Sequence, residues 1–327
     1  MKVLRLSRAR DLEEIVSIVI PTIGREEVLI QTVQSVLSQD IPAAALDLVI
    51  VDQMTQRDER TRAFLAELEV KRALRWFRPP EVDFKNANKA RNFGLAKARS
   101  SGVIILLDDD VRLSPEFVAA HLDCYRDPSV GAVAGRVTIP GGPDAAGRRV
   151  GWIGWFGRFH ANYASTVRTE TMDFIGCNCS FRASLIGTIG CFDERFTALL
   201  GMREESDFAL RIREAGWKIV FEPRAHLEHL VFPSGGHRGK RFSEAWCDAI
   251  YYDHYLFYSK HAPLWRMPFF LLGLWRLTLA CFWHAEISRF RLCRVICGAI
   301  VRGVRTGRSR SRHESFYSKG QVHFPMF

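Results

Sequence analysis

Five aliphatic residues, Val103-Ile104-Ile105-Leu106-Leu107, run directly into three consecutive carboxylates, Asp108, Asp109 and Asp110. An uninterrupted aliphatic run of this length after Ser-Gly reads as a strand buried on both faces, as in a parallel sheet covered by helices. Three adjacent negative charges where such a strand emerges cost electrostatic free energy unless a cation offsets them. Ligands of open α/β sheets sit at the carboxyl ends of strands. A hard cation, Mg²⁺ or Mn²⁺, held between carboxylate oxygens and a substrate's phosphates would account for the cluster. The competing explanation is a solvated acidic turn before a helix starting near Ser114-Pro115.

The surrounding sequence supports a mostly parallel sheet. Strands are expected at 16–20 (stopped by Pro21), 46–52, 73–77 and 103–107, with helices over 25–39, 58–68 and 86–100 between them. Strand–helix alternation with short loops implies right-handed crossovers. A helix at 115–126, a strand at 131–139, a strand entering a helix within 173–184, a helix at 204–215 and a late strand at 216–223 follow. The aromatic stretch 152–163 has no clean period. It is a substrate-facing loop, a membrane-contacting loop or a buried segment.

The chain of 327 residues carries a formal net charge of +10. Residues 261–320 hold eleven Lys/Arg against two Glu, about +9, so the excess lies in the C-terminal segment. The runs 268–283 and 289–305 are apolar but interrupted by Arg276 and by regularly spaced arginines. Neither has the roughly 20 apolar residues a spanning helix needs. They read as amphipathic helices on an anionic membrane surface, the alternative being a hairpin packed on the catalytic domain. The tail is too apolar for a plain basic arm, and no specific nucleic acid is expected. The N-terminus lacks a signal-peptide core and the eight cysteines are scattered, as in a reduced cytoplasmic protein. Cys177 and Cys179 have the wrong spacing for a zinc knuckle and read as small buried hydrophobes. The expected organisation is an extension (1–15), a catalytic domain (16–240, divided at 114/115), a helical, membrane-associated segment (241–305) and a basic, disordered tail (306–327).

Other clusters stand at strand ends. Pro21, Thr22 and Arg25 lie in VIPTIGR, and Asp52 ends VIVDQ as either a base or ribose contact or a helix cap. Lys89 and Arg91 in NKARNFG are either phosphate or base contacts or a solvated basic face. Glu204, Glu205 and Asp207 open a helix, where acids also favour the dipole. His226 reads as structural. SGGHRGKR (234–241) reads as a loop able to close over a diphosphate, with Arg238 as its contact, or as a solvated turn.

Together SIVIPTIGR, LVIVDQ, NKARNFG, LLDDDV, GCNCSFRASLIGTIGCFDERF, EESDFALRIREAGWKI and HLEHLVFPSGGHR resemble the family 2 glycosyltransferases over residues 16 to about 240. The resemblance implies a GT-A fold, a Rossmann-like sheet flanked by helices, and inverting transfer from a nucleoside diphosphate sugar to an acceptor hydroxyl. It implies that Asp52 contacts the donor base, although Gln53 stands where the pattern usually has a second Asp. It places Arg91 on the nucleotide and Asp108 and Asp110 in the Asp-x-Asp pair. Asp108 then faces ribose or sugar, and Asp110 faces metal and diphosphate. Asp109 fills the variable place, with a shifted register still open. His229 fits the position near the metal. Glu205 is the candidate base, with Asp207 next and Glu204 also in the trio. UDP is the favoured nucleotide, the acceptor a glycan or glycolipid, and the location the cytoplasmic face of a membrane. A nucleotidyltransferase would show a Gly-rich basic loop after the first strand, which PTIGREE lacks. A non-catalytic membrane-bound scaffold would not need acids at both the metal and base positions.

Overall fold

The computed structural model describes residues 15–79, 86–196, 202–231 and 240–309. The strands are β1 (Val16–Thr22), β2 (Leu46–Asp52), β3 (Arg75–Phe77), β4 (Val103–Leu107), β5 (Val111–Leu113), β6 (Val130–Thr138), β7 (Trp152–Ile153), β8 (Phe159–His160), β9 (Thr169–Thr171), β10 (Asn178–Arg182) and β11 (Lys218–His229). The helices are α1 (Glu27–Leu37), α2 (Glu59–Val70), α3 (Ala87–Lys97), α4 (Phe117–Cys124), α5 (Leu185–Ile189), α6 (Glu204–Glu214), α7 (Glu244–His261), α8 (Met267–Gly273), α9 (Trp275–His284) and α10 (Arg289–Arg308).

One nine-stranded sheet runs in the order β3-β2-β1-β4-β10-β6-β11-β5, with β9 alongside β11. The first four strands pair in parallel, and β10 runs antiparallel between β4 and β6. Every residue of β4 is buried, as its unbroken aliphatic sequence requires. Chain order reverses between β1 and β4. That switch point opens a crevice at the carboxyl ends of the strands.

Two strands run past the prolines expected to end them. β1 continues through Pro21 to Thr22, because pairing with β4 ends at Val19–Leu106 and only the β2 side remains. β11 continues through Pro223 to His229 across a register shift between Glu222 and His226. His226 and His229 therefore lie inside a strand rather than after one.

The C-terminal helices pack on the sheet domain through α7. Arg211, Lys260 and His261 converge on Asp207 at 2.9, 2.5 and 2.9 Å, and Lys260 also reaches Asp193 at 2.7 Å. The apolar stripe of α10, Leu292, Ile296, Ala299 and Gly303, is buried. A Cβ on Gly303 would lie 2.6 Å from the Tyr252 carbonyl oxygen, so α10 and α7 meet backbone to backbone. For 289–305 the buried stripe agrees with the packed alternative, while Phe290 and Val301 of the same helix stay exposed. α10 also carries regular structure to Arg308, past the expected start of a disordered tail, whose remainder from 310 lies outside the described residues. Among the described residues no helix is long and apolar enough to cross a membrane.

Candidate active site

Topology brings three strand ends to one point. β4 ends at Leu107, whose antiparallel partner is Asn178 at the start of β10, so Cys177 comes beside Asp108. β11 ends at His229, which pairs with Val111 just after the aspartates. Asp108, Cys177 and His229 thereby place one donor atom each within 4.8 Å of one another. His229 Nε2 lies 3.7 Å from Asp108 Oδ2 and 3.4 Å from Asp110 Oδ1. The turn itself is held by α1: the Thr32 hydroxyl accepts from the Val111 amide at 3.0 Å and lies 3.0 Å from the Asp109 carbonyl oxygen.

The three aspartates differ in environment. Asp109 and Asp110 are buried and both pair with the buried Arg25 guanidinium, the Asp110 contact being 3.0 Å. Burial pushes both carboxyls above the usual range, with Arg25 opposing. Asp108 is more open. Burial pushes it up as well, but the His229 hydrogen bond and the Arg91 charge outweigh that and hold it low. His229 is raised, chiefly by its hydrogen bond to Asp108 and against burial. The imidazole thus faces two carboxylates that favour a positive charge at this point, the charge a metal cation would supply.

The donor set fits a divalent ion. Two carboxylates and one imidazole converge, a combination of oxygen and nitrogen ligands suited to Mn²⁺ and acceptable to Mg²⁺. Cys177 is buried in the core as expected, and its Sγ also lines this cluster. Burial keeps its thiol protonated, which makes it a soft neighbour rather than an anionic ligand.

The second acidic trio separates just as clearly. Arg91, buried on α3, donates to Glu204 at 3.2 Å and to Glu205 at 3.0 Å. Glu205 has a side chain 16% exposed, against 1% for Glu204 and none for Asp207. Burial and the neighbouring Glu205 push the Glu204 carboxyl well up, so it favours the neutral form. Although burial would raise Asp207, Arg211, Lys260 and His261 drive it far down. Asp207 is thus a sealed carboxylate held by three basic partners, the arrangement of a structural ion-pair cluster. Glu204 is sealed as well, so Glu205 is the most exposed carboxylate of the trio, and Arg91 holds it.

Several residues expected on the donor side have internal partners. Asp52 is buried and accepts from Arg57 Nε at 3.0 Å, Arg57 Nη2 at 2.8 Å, Trp76 Nε1 at 3.1 Å and the Met54 amide at 2.9 Å. Arg57 also reaches the Thr22 hydroxyl at 3.0 Å and the Arg25 carbonyl oxygen. Asp52 is neither a helix cap nor an open carboxylate; it anchors a β1–β2 framework beside Pro21 and Thr22. Arg25 and Arg91 likewise face carboxylates. Lys89 is half-buried in the first turn of α3, which Asn86 caps. Arg238 lies outside the described residues. His226 meets Thr138 at 2.9 Å, the structural role expected.

Sequence reasoning missed Gly176. A Cβ there would fall 2.3 Å from Glu205 Oε1 and 2.4 Å from Arg91 Nη2, so only glycine leaves space for that pair. It also missed Asp173, which accepts from Ser206 at 2.9 Å and which burial pushes up to about 7. Neither Gly nor Asp there forms a recognisable local motif.

A family model described as Glycosyl transferase family 2 matches residues 17–190, more than half of the chain. The chain belongs to glycosyltransferase family 2. The family match takes in the aspartate turn, Arg91 and Cys177, and stops before α6. An uncharacterized protein of Sinorhizobium fredii, y4gI, is 28% identical over 241 residues, 68% of this chain. The chain spans about a quarter (25%) of that relative's length. Three solved structures share the architecture of this family 2 member. GalNAc-T7 with UDP, GalNAc and Mn²⁺ has a TM-score of 0.59 at 15% identity, covering 84% of this chain and 58% of its own. Mannosyltransferase PcManGT from Pyrobaculum calidifontis with GDP-Man and Mn²⁺ has a TM-score of 0.53 at 18% identity, covering 93% and 85%. TarS from S. aureus has a TM-score of 0.57 at 14% identity, covering 89% and 81%. At these identities the likeness speaks for the GT-A fold alone, which this chain adopts.

Proposed function

We propose that this protein is an inverting, divalent-metal-dependent glycosyltransferase that moves a sugar from a nucleoside diphosphate to an acceptor hydroxyl, with Glu205 as the general base. The observation that carries this is the pairing of two acidic centres across Arg91, one suited to a cation and the other leaving a single accessible carboxylate. Family membership and neighbours that bind UDP or GDP-Man with Mn²⁺ support the donor class and the metal.

Asp108, Asp110 and His229 would hold the ion. When bound, it supplies Lewis-acid neutralisation of charge on the departing diphosphate. Glu205 takes the acceptor hydroxyl's proton as the acceptor oxygen bonds to the anomeric carbon. The bond from that carbon to the phosphate oxygen breaks, and its electron pair leaves with the nucleoside diphosphate. Attack from the face opposite the leaving group inverts the anomeric configuration. Arg91 positions Glu205, while Asp52, Arg57 and Thr22 frame the nucleoside end of the crevice. The acceptor is a glycan or glycolipid, and the protein works at the cytoplasmic face of a membrane. Acids present in both centres favour catalysis over a scaffold role.

The test is a panel of UDP- and GDP-sugars with Mn²⁺, scored for binding by thermal shift and for transfer or slow donor hydrolysis. One donor should protect the wild type and Glu205→Gln alike, while turnover falls at least about 100-fold in the variant. Undiminished turnover in Glu205→Gln would refute the base assignment.

A further inference from the structure

Away from the acidic centres, the β7–β8 hairpin and the α8–α9 junction enclose an open cleft of about 340 Å³ lined by Trp155, Phe156, Arg158, Leu272 and Trp275, among others. Its walls are held in place. Gly273 brings α8 so close that a Cβ would fall 2.0 Å from the Phe156 carbonyl oxygen. Gly157 allows the hairpin turn to lie on Tyr258, whose hydroxyl donates to the Gly157 carbonyl at 3.0 Å. Arg266 donates to the Trp155 carbonyl and stacks 4.9 Å above the Trp155 ring.

The rim is apolar yet exposed. Trp155, Trp265 and Phe269 form one ring cluster with centroids 5.2 to 6.3 Å apart. Trp265 is 62% exposed, Leu272 59% and Trp275 52%. A contiguous aromatic patch of this kind on a folded chain marks an interaction surface. Charge indicates the occupant: residues 262–309 hold eight arginines against one acid, Glu286. Of these, Arg276 stacks 5.2 Å from the Trp275 ring and meets no carboxylate among the described residues. Tryptophan rings with adjoining cations match the boundary between hydrocarbon and anionic headgroups.

We propose that this aromatic cleft and its rim seat the protein on an anionic phospholipid bilayer, with one lipid hydrocarbon chain entering the cleft. The proposal deepens, and rests on, the membrane-surface transferase put forward above. It assigns docking to the hairpin and α8–α9, and not to the apolar stripe of α10, which is buried on α7. The hairpin also links the seat to the chemistry: Phe159 of β8 lies 3.2 Å beneath the guanidinium of Arg203, the residue immediately before Glu204. An acceptor rooted in the same bilayer would therefore approach Glu205 from the seated side.

The experiment uses the full chain with vesicles of phosphatidylglycerol or phosphatidylcholine, measuring flotation and quenching of tryptophan fluorescence by brominated acyl chains. The comparison variant is Trp265→Ser/Leu272→Gln/Trp275→Ser, all surface positions, with circular dichroism as the folding check. The expected result is flotation and quenching with the anionic vesicles, and at least a ten-fold weaker partition for the folded triple variant. Three results would overturn the proposal: no flotation, flotation without quenching, or unchanged partition of the variant. Concentration-dependent dimerisation in lipid-free buffer that the triple variant abolishes would also overturn it, making a second copy the occupant. Mn²⁺-dependent donor binding in lipid-free buffer is measured in parallel. Its loss in the wild type would count against the transferase and leave the lipid seat standing.

Discussion

Glu205 and Glu204 are adjacent in sequence and share one arginine, yet their environments give them different chemistry. Glu204 is sealed and pushed toward its neutral form, whereas Glu205 keeps a partly open carboxylate on Arg91. The space for that arrangement comes from Gly176, so Gly176→Ala should displace the pair. Steady-state kinetics should show kcat lowered by about ten-fold or more, as misplacement of a reacting group by about 1 Å predicts. Mn²⁺ affinity should change little, and an unaltered kcat would count against the positioning. His229 yields a pH prediction. Asp108 raises its pKa, and metal ligation needs the neutral ring, so protons compete with metal below that raised value. Mn²⁺ affinity measured calorimetrically should climb as pH rises through the pKa, by up to about ten-fold per unit below it. In His229→Gln this slope should flatten.

At the scale of elements, Asp207 joins α6 to α7. It pairs with Arg211 from its own helix and with Lys260 and His261 from α7. Removing one member of a buried charged cluster strands the others, at a cost of about 3 kcal/mol. Asp207→Asn should therefore lower the unfolding free energy from denaturant titration by that amount, while the folded fraction keeps kcat within a few-fold. A catalytic loss comparable with that of Glu205→Gln and no loss of stability would return Asp207 to the chemistry. The same elements show where sequence periodicity runs out. Aliphatic runs found β2 and β4 to the residue: β4 has no polar position to blur its ends, and the two acids of β2, Asp47 and Asp52, are buried on internal partners. Proline at 21 and 223 suggested strand ends because local propensity does not report when a neighbouring strand has already departed or a bulge absorbs the missing N–H. The arginine–apolar rhythm of α10 suits a lipid surface and a protein surface equally well. Only the close approach of Gly303 to α7 distinguishes them.

Across the whole molecule, a crevice at the sheet's switch point is joined to a helical cap whose outer face carries the aromatic seat. The aspartate turn was legible from charge cost alone, and the acidic trio from its position in the family pattern. Which acid stays accessible was not legible, since that depends on α7 residues more than fifty positions away, Lys260 and His261. Nor was Cys177, brought to Asp108 by an antiparallel register that no local pattern encodes. The central claim is that the aspartate turn and His229 hold a divalent ion together with a nucleoside diphosphate. Electron paramagnetic resonance of free Mn²⁺ tests it directly. Titrating the protein into Mn²⁺, with UDP or GDP equimolar to the protein and the depletion by nucleotide alone subtracted, should remove further free-ion signal for the wild type and leave Asp110→Ala at the nucleotide-only level. Equal depletion by the two proteins would contradict the account.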